Sequence, residues 1–258
     1  MHPDYYDEYY RNEREHWWFR ARERILSSVV GRLLESLRLG RKASILNVGA
    51  ATGRSSEWLG RHGEVCSLEY DQACCEATRA RTGLSIVQGS VLDLPWPSET
   101  FDLVCAFDVI EHVDDDTMAV RELLRVLRPG GAVVVTVPAC KLLWGEHDEI
   151  NRHFRRYSLH QLRALFADAR IITSTYFNSV LFFPIAAHRI VRNMAQSLWG
   201  KPPAAPRSDF TRSRFPFLGR VLEGVFAAER HVVARNIRLP CGVSALLVAE
   251  RRQDGGRP

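Results

Sequence analysis

Hydrophobic and polar positions change rhythm twice along the chain. Residues 5–38 mix Tyr, Trp and Leu with Arg and Glu, with no Pro between them, and this predicts helix. From residue 43, short apolar runs alternate with helix-like stretches. Strands are predicted over 43–48, 64–70, 84–88, 101–107 and 132–137. Helices are predicted between them over 54–61, 72–81 and 115–127, the last stopped by Arg128, Pro129, Gly130 and Gly131. The rhythm loosens after Pro138. A polar segment leads to Ser158, an N-cap residue for a helix over 159–166. A sixth strand over 171–177 follows, then an apolar helix over 180–199 and a Pro-rich loop over 200–208. An amphipathic helix over 217–235 and a last strand over 243–249 complete the pattern.

Strands that alternate with helices imply βαβ units and a parallel sheet. The run Ala132, Val133, Val134 and Val135 is apolar throughout, as a strand covered on both faces requires. Right-handed crossovers then give a doubly wound α/β sheet. We expect one domain: an N-terminal helical cap over 1–40, a cofactor-binding core over 41–178, a helical insertion over 179–240 and a final strand over 241–250. The length of 258 residues suits that architecture.

Ligands of such sheets bind beyond the carboxyl ends of the strands, so the loops there are read together. The first carries Asn47, Gly49, Ala50, Ala51 and Gly53, and glycine allows close backbone approach and unusual dihedrals. Glu69 ends the second strand, where an acid can accept both hydroxyls of a ribose. Ser90 and Val91 follow the third strand, and Phe107, Asp108, Glu111 and His112 the fourth. The spacing does not match the dinucleotide fingerprint G-x-G-x-x-G, because Ala51 and Arg54 occupy its second and third glycine positions.

Four ordered blocks, LNVGAATGRSS, VCSLEYDQACC, VQGSVLDLPWPSETFDLVCAFDVIEHV and ELLRVLRPGGAVVVTVPA, lie within residues 44–139. In this order and spacing they resemble class I S-adenosylmethionine-dependent methyltransferases. The flanks HWWFRARERI and LWGEHDEINRHFRRYS are similar to a bacterial branch of that family. The resemblance implies a seven-stranded Rossmann-like sheet with its last strand antiparallel. It also implies S-adenosyl-L-methionine as cofactor and S-adenosyl-L-homocysteine as product. By position, Gly49, Ala51 and Gly53 would approach the methionine part, Glu69 the ribose, Tyr70 the adenine face, and Ser90 and Val91 its edge. Phe107 and Asp108 would line the methionine end, and Trp18 and Arg22 would fold over the cofactor. Three positions depart from the family pattern. Asn47 replaces an acid, Ala51 a glycine and Ser90 an aspartate. Ala51 is tolerable where its dihedral is ordinary, and the three changes together predict looser binding.

The acceptor must be aligned and, where it carries a proton, deprotonated. His112 is the first base candidate, against a purely structural Glu-His pair. His147, Asp148 and His153 form a second group, a histidine oriented by an aspartate. Their spacing matches no metal signature, so no metal is expected. Arg155 and Arg156 would clamp an anionic acceptor or pair with Glu146 or Glu149.

Charge and cysteine content narrow the reading. The net charge is +5, and Arg189, Arg192, Arg207, Arg212, Arg214, Arg220, Arg230 and Arg235 concentrate it late in the chain. No nucleic-acid motif accompanies that bias, and a nucleic-acid methylase is the weaker alternative. The 6 cysteines form no CxxC pair and suit buried thiols in a reducing cytosol. The charged N-terminus is unlike a signal peptide, and no apolar run reaches the ~18 residues of a membrane span. A cytoplasmic protein is expected. The late helices would wall a pocket for a bulky acceptor, touch a membrane surface or form a homodimer interface. The expected function is methyl transfer to a small-molecule, glycan or lipid-linked acceptor, with oxygen or nitrogen favoured over carbon. The rival is a non-catalytic cofactor-binding interaction protein.

Overall fold

A computed structural model describes residues 3–199 and 216–252. Its strands are β1 (Ala43–Val48), β2 (Gly63–Glu69), β3 (Ile86–Gln88), β4 (Phe101–Phe107), β5 (Leu127–Pro138), β6 (Arg170–Phe177) and β7 (Ser244–Glu250). Its helices are α1 (Pro3–Glu15), α2 (Trp17–Leu37), α3 (Arg54–Leu59), α4 (Gln72–Thr82), α5 (Asp116–Arg125), α6 (Glu146–Ile150), α7 (Leu159–Leu165), α8 (Phe182–Trp199), α9 (Pro216–Ala228) and α10 (Arg230–Val233). The 7 strands form one sheet in the order β3-β2-β1-β4-β5-β7-β6. β7 runs antiparallel to both of its neighbours, and the other pairings are parallel. The doubly wound, seven-stranded reading therefore holds.

Alternation along the central strands sorts the core into two layers. Leu46, Val48, Val104, Ala106, Val133 and Val135 face one side, where α5 and α7 cover them with Val120, Leu123 and Leu162. Ile45, Leu103, Cys105, Ala132 and Val134 face the other. There α2 brings Ile25, Val29 and Val30, and α9 brings Phe226. Much of α2 is thus a layer of the fold in its own right, buried along a full stripe.

Four elements differ from the sequence expectation. The predicted helix over residues 5–38 breaks at His16, whose extended backbone and ring nitrogen cap α2 by accepting from Trp18 N. β5 starts at Leu127 and runs through Pro129, Gly130 and Gly131, where the sequence predicts only a stop. The register slips opposite Phe101 and Leu103, and a Cβ on Gly131 would lie 2.9 Å from Arg128 O and 3.0 Å from Asp102 O. Glycine lets the bulged chain hug β4 there. The predicted helix over residues 217–235 is two helices, broken at Glu229. Its carboxylate accepts from the amides of Asn178, Ser179 and Val180 at 2.6, 2.7 and 3.1 Å, which ties α10 to the start of α8. Pro184 lies in the first turn of α8, where no amide donor is missed. Finally, the polar segment after Pro138 contains the short helix α6. Ser158 caps α7, as expected, in a capping box with Gln161. The predicted 200–208 loop lies outside the described residues, and all 6 cysteines are free.

Candidate active site

A cavity of about 1190 Å³ opens over the carboxyl ends of β1, β2, β4 and β5. Tyr9, Glu13 and Trp18 wall it from α1 and α2, and Pro184, Ile185 and Arg189 from α8. The long α8 thus encloses it opposite the N-terminal helices.

One end is made largely by turning backbone. Gly49 has φ 72°, and a Cβ there would lie 2.6 Å from Val109 Cγ2, so only glycine fits. The amides of Gly49 and Ala50 both donate to Leu68 O at 2.9 Å. Ala51 has φ 45°, in the left-handed region, so its dihedral is not the ordinary one that the sequence reading required. Its amide donates to Glu69 Oε2 at 2.9 Å, and Glu69 Oε1 accepts from the amides of Tyr70 and Asp71 at 2.9 and 3.0 Å. Of the roughly four acceptor positions of a carboxylate, one stays open on Oε2. Glu69 therefore holds the loop shape and can still accept a hydroxyl from the cavity.

Gly49, Ala51, Glu69, Tyr70, Ser90, Val91, Phe107 and Asp108 line this part of the cavity, with Trp18 and Arg22. Asn47, Ala50 and Gly53 do not. Asn47 is buried and its Nδ2 donates to Ser55 and Ser56 Oγ, each at 2.8 Å, bracing β1 against α3. Ala50 packs with Cys75 and Ile86. Gly53 supplies the positive φ that starts α3, and a Cβ there would meet Thr78 and Leu84. All three shape the loop from behind. Tyr70 is 76% exposed and stands at the rim, and Ser90 Oγ accepts from Leu92 N at 3.1 Å, leaving its O–H to donate. Asp108, with φ 56°, pairs with Arg22 at 2.7 Å and accepts from Thr136 Oγ1 at 3.1 Å. Arg22 also donates to Thr136 Oγ1 at 2.6 Å, so α2 is pinned to the ends of β4 and β5, with the guanidinium 5.3 Å from the Trp18 ring of its own helix.

Glu13 is a lining residue that the sequence reading missed. It bonds Thr52, and burial pushes its carboxyl up to about 7. Its only sequence signal is an acid inside an aromatic helix.

The other end is made by side chains from four separate segments. The chain at 153–157 is stitched onto β5 and onto the turn at Ile110–His112. Phe154 N donates to Glu111 O at 2.8 Å and Tyr157 N to Pro138 O at 2.9 Å. His153 thereby meets His112 with ring centroids 4.6 Å apart, while His147 and His153 lie at 6.0 Å. All three histidines line the cavity. Burial, and then the facing His153, press His112 down to about 4, although its ring surface remains open to the cavity.

Asp148, expected beside them as a catalytic group, is fully buried and does not line the cavity. It accepts from His153 Nδ1 at 2.9 Å, Arg156 Nε at 2.8 Å and Gly145 N at 2.9 Å, and Arg189 stands 3.5 Å away. Burial alone would raise its pKa. The bonds from His153 and Arg156 outweigh it and hold the carboxyl far below the usual range. Asp148 is thus a positioning residue. The predicted pairing of Arg155 and Arg156 with Glu146 or Glu149 also fails. Arg155 pairs with Asp116 at 2.8 Å on the outer face, Arg156 turns in to Asp148, and Arg192 takes Glu146 at 3.6 Å.

Residues 46–135 match the methyltransferase domain family, from β1 into β5 with the loops of the Gly49–Glu69 end and the turn at Ile110–His112, but not the segment at 145–157. The matched stretch is a methyltransferase domain, similar to those of S-adenosylmethionine-dependent methyltransferases. A Mycolicibacterium smegmatis protein described as a probable S-adenosylmethionine-dependent methyltransferase is 36% identical to it over 126 residues, 48% of this chain and 46% of that protein. The demethylmenaquinone methyltransferase of Thermobifida fusca is 31% identical over 129 residues, 47% of this chain and 50% of that protein. The chain spans about half the length of these curated relatives. A crystal structure of a Thermotoga maritima S-adenosylmethionine-dependent methyltransferase overlays with a TM-score of 0.52 at 17% identity, covering 96% of this chain and 99% of that one. At that identity the overlay concerns the fold alone.

The residues fit the cofactor that this domain implies. A carboxylate with an open acceptor position, a glycine turn at the strand end and a roomy cavity match the donor set a ribose and a methionine tail need.

Proposed function

We propose that the protein transfers a methyl group from S-adenosylmethionine to a polar small-molecule, glycan or lipid-linked acceptor. The observation that carries this reading is the continuity of the cavity, which joins the Gly49–Glu69 end to the histidine and arginine end. When bound, the cofactor supplies an electrophilic methyl on a sulfonium, and the protein must align the acceptor and keep water out. Glu69 would hold the ribose through its open Oε2 position, Gly49 and Ala51 would bring backbone to the methionine tail, and Trp18 would close the site. Asp108, already neutralised by Arg22, would shape the methionine end. The acceptor enters between α8 and the histidines, where Arg156, Arg189 and the imidazoles favour a polar group over a bare hydrocarbon. This supports oxygen or nitrogen as the acceptor atom. The quinone relative favours a second reading, methylation of a ring carbon.

Lipid linkage draws support from α8. It lines the cavity with Pro184 and Ile185 and presents Phe183, Val191 and Met194 outward. Among the described residues no helix is long and apolar enough to cross a membrane, so such a contact would be superficial.

Two measurements test the reading. Calorimetry with S-adenosylhomocysteine should give a one-site isotherm, and no heat would sink it. Release of S-adenosylhomocysteine should then be followed across hydroxylated, amino and quinone acceptors, each free and lipid-linked. Binding without release from any acceptor would instead favour the non-catalytic role.

A further inference from the structure

Glu111 stands out among the described residues. Its side chain is fully buried in the cavity wall, and neither carboxylate oxygen has a hydrogen-bond partner. Burying such a group unsatisfied is costly, more so when it is charged.

What surrounds Glu111 is a donor set. The ligand-capable atoms of Glu111, His112 and His153 all lie within 4.8 Å of one another. Bonds of about 2.0–2.2 Å to a common centre would draw them together with small side-chain rotations. One imidazole is also held from behind. His153 gives its Nδ1 proton to Asp148, which leaves Nε2 as the free lone pair. His112 lies beside the main chain at Asn151. A ligating histidine fixed by a carboxylate or a main-chain carbonyl is the usual outer shell of a metal site.

We propose that Glu111, His112 and His153 form a mononuclear site for a divalent transition-metal ion at the acceptor end of the cavity. Two imidazole nitrogens and one carboxylate favour zinc, cobalt or iron(II) over magnesium or calcium. Three protein ligands leave at least one position open toward the cavity, the pattern of catalytic rather than structural metal sites. The open position would take an oxygen or nitrogen of the acceptor. That last role rests on the methyl-transfer reading, whereas metal binding itself does not. The spacing rules missed the site because the first two ligands are adjacent in sequence. The third arrives only through the 153–157 bridge to the end of β5.

The test uses the full chain, stripped with chelator and titrated with cobalt(II) chloride and, separately, zinc chloride. The wild type should bind one equivalent of each, with visible cobalt ligand-field bands. Glu111→Gln keeps the shape of the side chain and should weaken both at least tenfold, and His153→Ala should do the same. Circular dichroism checks that each variant is folded. If His153→Ala does not fold, Glu111→Gln decides alone. Equal affinity in the wild type and Glu111→Gln, or no stoichiometric binding by the wild type, overturns the proposal. S-adenosylhomocysteine is titrated in parallel with chelator present. Its failure to bind would strike the methyl-transfer reading and leave the metal result standing.

Discussion

At the nucleoside end of the cavity, the polypeptide turns sharply beyond β1 and its amides do most of the holding, with Glu69 tying three of them together. At the acceptor end, backbone turns matter less. Charged and imidazole side chains, His153 and Arg156 from one segment and Arg189 from α8, are drawn around one buried aspartate. The first arrangement tolerates changes in side chain provided the dihedrals survive. The second depends on the identity of a few ionic groups, and a single substitution can release several of them together. The difference places mechanical precision at the end proposed to hold the cofactor, and chemical variability at the end proposed to meet the acceptor.

The sharpest way to break that contrast is Asp148→Ala. It removes the carboxylate that Arg156 and Arg189 share and frees His153, which should cost about 3–5 kcal/mol of unfolding free energy in urea. S-adenosylhomocysteine affinity of the folded fraction should stay within about twofold. A parallel loss of that affinity would show that the two ends are not separable. Glu69→Ala strikes the other end. Losing charge-assisted bonds of about 1.5–3 kcal/mol should weaken S-adenosylhomocysteine roughly 10- to 100-fold in calorimetry. Because Glu69 also braces the amides of Ala51, Tyr70 and Asp71, we expect a stability loss of about 1–2 kcal/mol as well. Unchanged affinity would remove Glu69 from the ribose.

Ala51→Gly is smaller and of opposite sign. Relief of the left-handed alanine, offset by the flexibility of glycine, should stabilise the protein by about 0.5–1 kcal/mol in thermal melts. Destabilisation would mean that Ala51 is not strained. The smallest effect concerns pH. The folded pKa of His112 is lowered to about 4, so the folded state binds fewer protons than the unfolded chain below the ordinary histidine value of about 6.5. Its contribution to stability is present above that value and is lost as pH falls from about 6.5 to about 4. His112→Gln should flatten the stability profile across that window in denaturant titrations. An unchanged slope would assign the acid sensitivity to other groups.

The two ends also differ in how far they can be read from sequence. β1 and β4 fall at their predicted bounds because each is a mainly apolar run, interrupted only by Ser44 and Asn47 in β1 and by Asp102 in β4. The nucleoside loop is legible because its parts follow strand ends in order, a local property. Even so, Asn47, Ala50 and Gly53 read as lining residues and turn out to support the loop from behind. Residue type reveals that a turn is tight but not which side of it faces the ligand. At the acceptor end, His112, His147 and His153 are visible as chemistry, while their partners are not. Arg156 reaches inward and Arg155 outward, although the two are neighbours of the same type, because the segment enters the sheet as an extended bridge whose alternate side chains diverge. Glu111 reads as half of a helix-capping pair. Only the approach of 153–157 brings His153 beside it and His112.

The insertion of β7 between β5 and β6 has a consequence for synthesis. A ribosome delivers β1 to β5 in an order that lets each pair with a strand already present. β6 emerges before the strand it must pair with, and it waits while α8, α9 and α10 are made. The half built on β1 to β5 can therefore close early. The wall carried by α8 gains its place on the sheet only when β7 slides between its two neighbours, so the nascent chain can assemble its nucleoside cradle before it has anywhere to seat an acceptor.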